Sequence, residues 1–257
     1  MFEVPVNDLP PCIRNVGNDH AAVHCESGEC AAIRHARRLP CHRRKLKRRH
    51  HLFLQGDPQC HVYYVAMGAI RLYALLENGR RQIVDFKLPG DFILFDHEPK
   101  YRFNAQAISA TEVRSFPLAS FRAAAGDDAA FMLKLYAAVS AELARTRNLM
   151  LISGPRNAEG RLAALLLDLA DRAPPLEAVT GFVALPMLRS DIADLVGLSH
   201  ETVSRVFSQF KKTGLIDLRG RSGLKLIDRP ALAALADCTV GGWRPETVAR
   251  APHLLAH

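Results

Sequence analysis

The chain has 257 residues, 49% of them hydrophobic, with 34 Lys and Arg against 26 Asp and Glu and a formal net charge of +8. This length accommodates two modest domains, each burying a core, and the basic excess favours a polyanionic partner without specifying a fold. No apolar run is long enough for a membrane span, and the opening MFEVPVNDLPPC lacks the basic-then-apolar pattern of a signal peptide, so no membrane partner is expected. The six cysteines are therefore expected in a reducing cytoplasm, where stable structural disulfides are disfavoured.

Residues 1–30 are polar and irregular, with prolines at 5, 10 and 11. From Arg34 to His51 runs a stretch with nine Lys or Arg and no acid, read either as a solvated arm or as a further contact for a polyanionic partner. We take residues 1–45 as an N-terminal Cys/His-containing basic arm and 46–125 as a β-barrel of jelly-roll type. Within that domain HLFLQGD, HVYYVAMGAIRLYALLENGRRQIVDFKLPGDFILF and NAQAISATEVRSFPLASF are strand-like, rich in Val, Tyr, Ile and Phe and punctuated by glycines 56, 68, 79 and 90. Asn78-Gly79 between two such runs marks a hairpin.

Residues 126–154 are expected to form a long helix, capped by Asp127 or Asp128 and ending near Ser153. Met132, Leu135, Val139, Leu143, Thr146 and Met150 recur at steps of three and four and draw one mostly apolar stripe. We read it as a homodimer seam, because groove readers need paired half-sites about one helical turn apart. Residues 155–240 are assigned to a winged helix-turn-helix and 241–257 to a C-terminal tail, so the fold class is α+β. In this part Asn157–Arg172 is a further helix, broken by Pro174 and Pro175 before the short stretch TGFVALP.

The segment LPMLRSDIADLVGLSHETVSR reads as two short helices around a glycine-centred turn. Ile192, Leu195 and Val196 cover one face of the first helix, Gly197 suits a left-handed backbone, and Leu198 plugs the angle between the helices. Ser199 caps the second helix, with Thr202 where a complete capping box would carry Glu or Gln. Val203, Val206, Phe207 and Phe210 then face inward. His200, Glu201, Ser204 and Arg205 are left to meet base edges, and Ser199, Gln209 and Lys211 to meet the backbone. Beyond Gly214, GLIDLR, a GRSG turn and LKLIDR form an amphipathic hairpin, with Arg219 and Arg221 at its tip to grip phosphates. An arginine at position 205 can donate two hydrogen bonds to guanine, and Glu201 can accept from a cytosine amino group.

This order of barrel, long helix and winged helix-turn-helix resembles the Crp/Fnr family of bacterial transcription regulators over roughly Phe53 to Asp237. The resemblance rests on GRRQIVDFKLPGDFILF, NAEGRLAALLLDLA and RSDIADLVGLSHETVSRVFSQFKKTGLI, and is closest to the FixK and Fnr branches. It implies an E-x-x-S-R reading motif at Glu201, Ser204 and Arg205, a TTGAT-type palindrome in double-stranded DNA, and a homodimer that recruits or blocks RNA polymerase in oxygen-limited or respiratory metabolism.

Relatives that bind a cyclic nucleotide carry a Glu after the Pro-Gly-Asp turn and an Arg-Ser pair. Here Phe92-Ile93-Leu94-Phe95 and Tyr101-Arg102-Phe103 stand in those places, so cyclic AMP is not expected as a ligand. Fnr-type sensors hold a [4Fe–4S] cluster on three closely spaced N-terminal cysteines and one in the barrel. This chain has Cys12, Cys25, Cys30 and Cys41 with different spacing, and Arg114 where the barrel cysteine would be. Three readings stay open: no cofactor, which we place first, a [4Fe–4S] cluster on those four thiolates, and zinc with the neighbouring histidines. Thr146 stands where the oxygen sensor places an acid that opposes pairing, which implies a dimer in air. Pro186-Met187-Leu188-Arg189 lacks the cysteine through which some FixK proteins respond to oxidation. No nucleophile–base–orienter set can be assembled, so an enzyme is not expected. The competing class is a small-molecule-binding barrel without DNA function.

Overall fold

The computed structural model describes residues 39–94, 98–152, 157–177 and 180–237. Eight strands come first: β1 (His42–Leu46), β2 (His51–Phe53), β3 (His61–Met67), β4 (Ile70–Leu75), β5 (Arg81–Lys87), β6 (Phe92–Ile93), β7 (Asn104–Ala107) and β8 (Thr111–Pro117). They form two facing four-stranded sheets, ordered β1-β8-β3-β6 and β2-β7-β4-β5, a jelly-roll-like sandwich in place of a closed barrel. Alternation along β3 decides its two faces. Tyr63 and Val65 point between the sheets with Phe53, Ile70, Tyr101 and Val113, while Val62 and Tyr64 point outward onto a helical layer with Phe116, Phe121 and Phe131. Gly68 turns β3 into β4 at φ +82, where a Cβ would sit 2.3 Å from the Ala110 carbonyl oxygen. The expected hairpin at Asn78-Gly79 joins β4 to β5, with Gly79 N–H donating to the Leu76 carbonyl at 2.8 Å.

Two readings of the sequence are corrected in this half. Residues 42–45, read as the end of the basic arm, form with Leu46 an edge strand, β1, paired antiparallel with β8 from His42↔Ser115 to Leu46↔Thr111. The backbone of β8 needs a partner on that side, Leu46 is buried, and the Arg43 guanidinium is neutralised by Glu112. The residues LASF, expected to be strand-like, instead open a helix, α1 (Leu118–Asp127), because Pro117 ends the sheet and the alanine-rich run behind it favours helix.

Asp128 caps the long helix α2 (Ala129–Ile152), its carboxylate accepting from the N–H groups of Ala130 and Phe131 at 2.9 and 3.1 Å. Next comes α3 (Ala158–Arg172), capped by Asn157, which accepts from Gly160 N–H at 2.7 Å. The remaining elements are β9 (Val183–Ala184), α4 (Arg189–Val196), α5 (His200–Lys212), β10 (Ile216–Arg219), β11 (Gly223–Leu226) and α6 (Arg229–Asp237). TGFVALP thus supplies a third strand beside the hairpin, giving the order β10-β11-β9. Leu162, Leu165, Leu166 and Leu169 of α3 share one core with Ile192, Val196, Val203, Phe207 and Phe210, and that core continues into Ile83, Phe86 and Leu88 of the sandwich. The two domains are also tied by charge. Arg172 of α3 donates to Asp91 at 2.9 Å and to the Phe86 carbonyl, and Arg145 of α2 lies 3.4 Å from the other Asp91 oxygen. No helix among the described residues is long and apolar enough to cross a membrane.

Candidate nucleic-acid interface

Gly197 ends α4 in the left-handed region (φ +67, ψ +41), as expected, and Leu198 N–H closes the turn onto the Ala193 carbonyl at 3.1 Å. Ser199 then starts α5 with its hydroxyl accepting from Thr202 N–H at 3.1 Å. Val203, Val206, Phe207 and Phe210 are buried against α3 and α4, which fixes the rotation of α5 about its own axis. His200, Glu201, Arg205, Gln209 and Lys211 consequently face solvent, and Ser204 lies half-buried at the margin of the same face. The Arg205 guanidinium leans back on Thr202 Oγ1 at 3.4 Å, a weak contact that leaves its donors available. Glu201 is fully exposed, and its own backbone N–H together with the Ser199 hydroxyl holds its carboxyl below the usual range. It stays an acceptor at neutral pH.

Other residues expected at the backbone are placed less uniformly. Gln209 donates to Glu159 at the start of α3 at 3.0 Å, which ties the recognition helix to its support. Arg219 at the wing pairs with Glu177 at 2.8 Å and lies 6.0 Å from the Phe182 ring centroid, whereas Arg221 in the turn is exposed. Arg189, which the sequence reading did not single out, lies with its guanidinium 3.3 Å from the Phe207 ring centroid. Burial there pushes its pKa down to about 10, and the stacking locks α4 onto α5.

The sequence reading also missed how the sandwich holds this unit. Asp191, 1% exposed in the first turn of α4, accepts from Arg71 at 2.6 Å and from Arg81 at 2.8 Å, both reaching from the β4–β5 hairpin. Arg81 also donates to Asp194 at 2.6 Å, and Gln82 Nε2 donates to the Asp194 carbonyl. Nothing local marks Asp191 as different from an ordinary first-turn acid, because its partners lie more than a hundred residues away.

On α2, Met132, Val139, Leu143 and Met150 are exposed, and Thr146 is exposed with its hydroxyl donating to the Glu142 carbonyl at 2.9 Å. Leu135 is half-buried and packs on the Phe121–Phe131 cluster. Tyr136 is 70% exposed, and Met132, Tyr136, Val139, Leu143, Thr146 and Met150 follow an alternating four-three spacing. That heptad spacing was the signal available in the sequence.

Cys41, a ligand candidate, is buried against Val62, Tyr64 and Phe116 on the outer face of β3 and β8. Cys12, Cys25 and Cys30 lie outside the described residues. Among the described residues no group of three or more His, Cys, Asp or Glu side chains could hold a metal ion.

Comparison with known proteins agrees with this geometry. Residues 160–235 match the model of the Crp-like helix-turn-helix domain, and residues 43–128 match that of the cyclic nucleotide-binding domain. The chain is 37% identical to the nitrogen fixation regulation protein FixK of Bradyrhizobium diazoefficiens, over 72% of this chain and 78% of that protein. It is 31% identical to the fumarate and nitrate reduction regulatory protein of Salmonella typhimurium, over 73% and 76% of the two chains. Among solved structures, FixK2 from Bradyrhizobium japonicum superposes with a TM-score of 0.71 at 36% identity, covering 78% of this chain and 99% of that one. The chain belongs to the Crp/Fnr family. It is a FixK/Fnr-like transcription regulator with a helix-turn-helix DNA-binding domain.

The sandwich cavity offers a cyclic nucleotide little free positive charge. A cavity of about 390 Å³ between the sandwich and α2 is lined by Phe53, Leu72, Ile93, Tyr101, Val139 and Lys87. Its buried cation, Lys87, is already neutralised by Asp85 at 2.9 Å and by Glu142. Burial opposes the Lys87 charge, but the two carboxylates outweigh it and hold the pKa above the ordinary lysine value. Arg102 also lines the cavity, at its exposed margin, 3.7 Å from Glu98. A cyclic phosphate entering here would meet Lys87 already neutralised, and Arg102 exposed and shared with Glu98.

Proposed function

We propose that this regulator works as a homodimer, paired along the α2 stripe, that reads a TTGAT-type palindrome with one α5 in each half-site. Arg205 reads guanine by a bidentate pair of hydrogen bonds, Glu201 accepts from a cytosine amino group, Ser204 approaches a thymine edge, and His200 meets the flanking base or phosphate. Arg221, Lys211 and Ser199 contact the phosphates, and Arg219 and Gln209 join them by exchanging their present partners. The observation that carries this reading is the fixed rotation of α5: four buried apolar residues on one side hold Glu201 and Arg205 outward on the other. The names of the relatives support a role in nitrogen or respiratory metabolism under oxygen limitation, exercised by recruiting or blocking RNA polymerase. The regulator acts without a cyclic nucleotide, a metal or a catalytic reaction, and dimerises in air.

The test compares wild type with Arg205→Ala on a TTGAT palindrome and a scrambled duplex at one salt concentration. Discrimination is expected to fall by about 1–3 kcal/mol while non-specific affinity survives. Equal loss on both duplexes refutes the assigned role. Isothermal titration with cyclic AMP should give no binding, and micromolar affinity would overturn that part. Iron and sulfide analysis after anaerobic purification should find no cluster.

A further inference from the structure

The exposed stripe of α2 and the sandwich meet at one side chain, Glu142. With Tyr136, Leu143 and Met150 at the a positions of a heptad and Met132, Val139 and Thr146 at the d positions, Glu142 falls at g and Arg147 at the e of the next heptad. Two recognition helices that read one duplex require the two α2 helices to run parallel about the two-fold axis. In such a pair a g side chain lies against the e side chain of the partner's following heptad, and opposite charges there fix register and orientation. That rule sets Glu142 against the partner's Arg147, and symmetry repeats the contact on the other side of the seam.

Glu142 is already part of a larger set of charges. One of its oxygens is bound by Lys87 and the other by Arg145. Lys87 also pairs with Asp85 at 2.9 Å, Arg145 lies 3.4 Å from Asp91, and Arg172 links Asp91 at 2.9 Å to Asp168 at 3.0 Å. The network therefore runs from the sandwich through α2 into α3, with four carboxylates shared among three cations. Every member except Glu142 is less than a quarter exposed, so the surplus negative charge sits where water screens it poorly. Burial pushes the Asp168 carboxyl above its ordinary value against the pull of Arg172, as a network short of one cation requires. Arg102, at the margin of the adjoining cavity, is matched with Glu98 and does not supply the balance.

The missing cation is on the seam. Arg147 is exposed, and among the described residues no carboxylate pairs with it. A carboxylate has about four acceptor sites, so Glu142, 32% exposed, can take a further donor beside Lys87 and Arg145. We propose that the partner's Arg147 pairs with Glu142, so that the ion network joining each sandwich to its own α3 is completed by a residue of the other protomer. The proposal rests on the homodimer reading above. It holds the α2 helices parallel and in one register, and it makes charge balance at the junction of the two domains depend on assembly.

The test measures the dimer dissociation constant of the full chain by sedimentation equilibrium for wild type, Arg147→Gln, Arg147→Glu, Glu142→Gln and Glu142→Gln/Arg147→Glu. Two symmetry-related contacts, each as strong as a solvent-accessible ion pair, are worth about two- to thirtyfold in dimer affinity, which Arg147→Gln should lose. Arg147→Glu sets like charges against each other and should weaken the dimer further, with the gap to wild type narrowing at about 1 M salt. In the Glu142→Gln background, which keeps acceptors for Lys87 and Arg145, Arg147→Glu should lose most of its effect. Equal losses in the two backgrounds overturn the pairing, as does an Arg147→Glu dimer as tight as wild type. Melting of the dissociated protomer should be the same for wild type and Arg147→Glu, and a lower value for the variant overturns the proposal by showing that Arg147 serves its own chain. Failure of the homodimer reading is seen separately, as a wild type that sediments as a monomer at micromolar concentration.

Discussion

Replacing Asp191 tests whether charge on the β4–β5 hairpin holds the helix-turn-helix in place. One Asp191 oxygen accepts from both Arg71 and Arg81, and the other accepts from the Leu188 N–H at 3.3 Å, fastening the start of α4. Removing one partner of a buried ion pair costs about 3–5 kcal/mol, because the remaining charge is left desolvated. The side chains of Arg71 and Arg81 are 15% and 26% exposed, so water takes up part of the imbalance and about 2–3 kcal/mol remains. Asp191→Asn retains an acceptor for Leu188 and isolates that charge effect. Asp191→Ala should lose about 1 kcal/mol more through the cap. Urea unfolding at one fixed protein concentration measures both, with an unchanged slope showing that the denatured state is not altered. A double-mutant cycle with Arg81→Met should return a coupling above about 1 kcal/mol. If Asp191→Asn costs less than about 0.5 kcal/mol, the cluster is an ordinary surface pair and the clamp does not exist.

Leu143→Glu should separate assembly from folding. Leu143 is already exposed in the single chain, so the melting temperature of the monomer should hardly change. Losing about 1.5–3 kcal/mol at the seam from each protomer weakens the dimer by a hundredfold or more, read as a monomer at micromolar concentration by sedimentation. A variant that still sediments as a dimer refutes the α2 seam. The pH dependence of stability carries a signature of His61. Burial first, then Arg44 and His42, lower its pKa below 6.5 in the folded chain. Above pH 6.5 both states are neutral there and nothing is contributed; below it the unfolded chain binds the proton and the folded one resists. Stability attributable to His61 is thus lost as pH falls from 6.5 through the folded pKa, and levels off beneath it. Melting curves across that window should be flatter for His61→Gln, and equal slopes for the two proteins would refute the assignment.

The sequence by itself determined the features that close within a few turns of chain. The Gly197 turn, the Ser199 cap, the inward stripe of α5, the Asn78-Gly79 hairpin and the Asp128 cap each depend on neighbours at short separation, where periodicity and turn chemistry speak directly. Tertiary structure decided what depends on distant partners. It turned a charged run into the edge strand β1 through its pairing with β8, and it buried Cys41 on the same sheet. Leu135 was packed on the sandwich and Tyr136 left exposed because the outer face of β3 and β8 presents Val62, Tyr64 and Phe116 to α2. Gln209 was given to Glu159 across 50 residues and Arg71 to Asp191 across 120. A charged side chain reads the same in sequence whether water or a buried counter-ion will meet it, and only the packing of the two domains brings that counter-ion within reach.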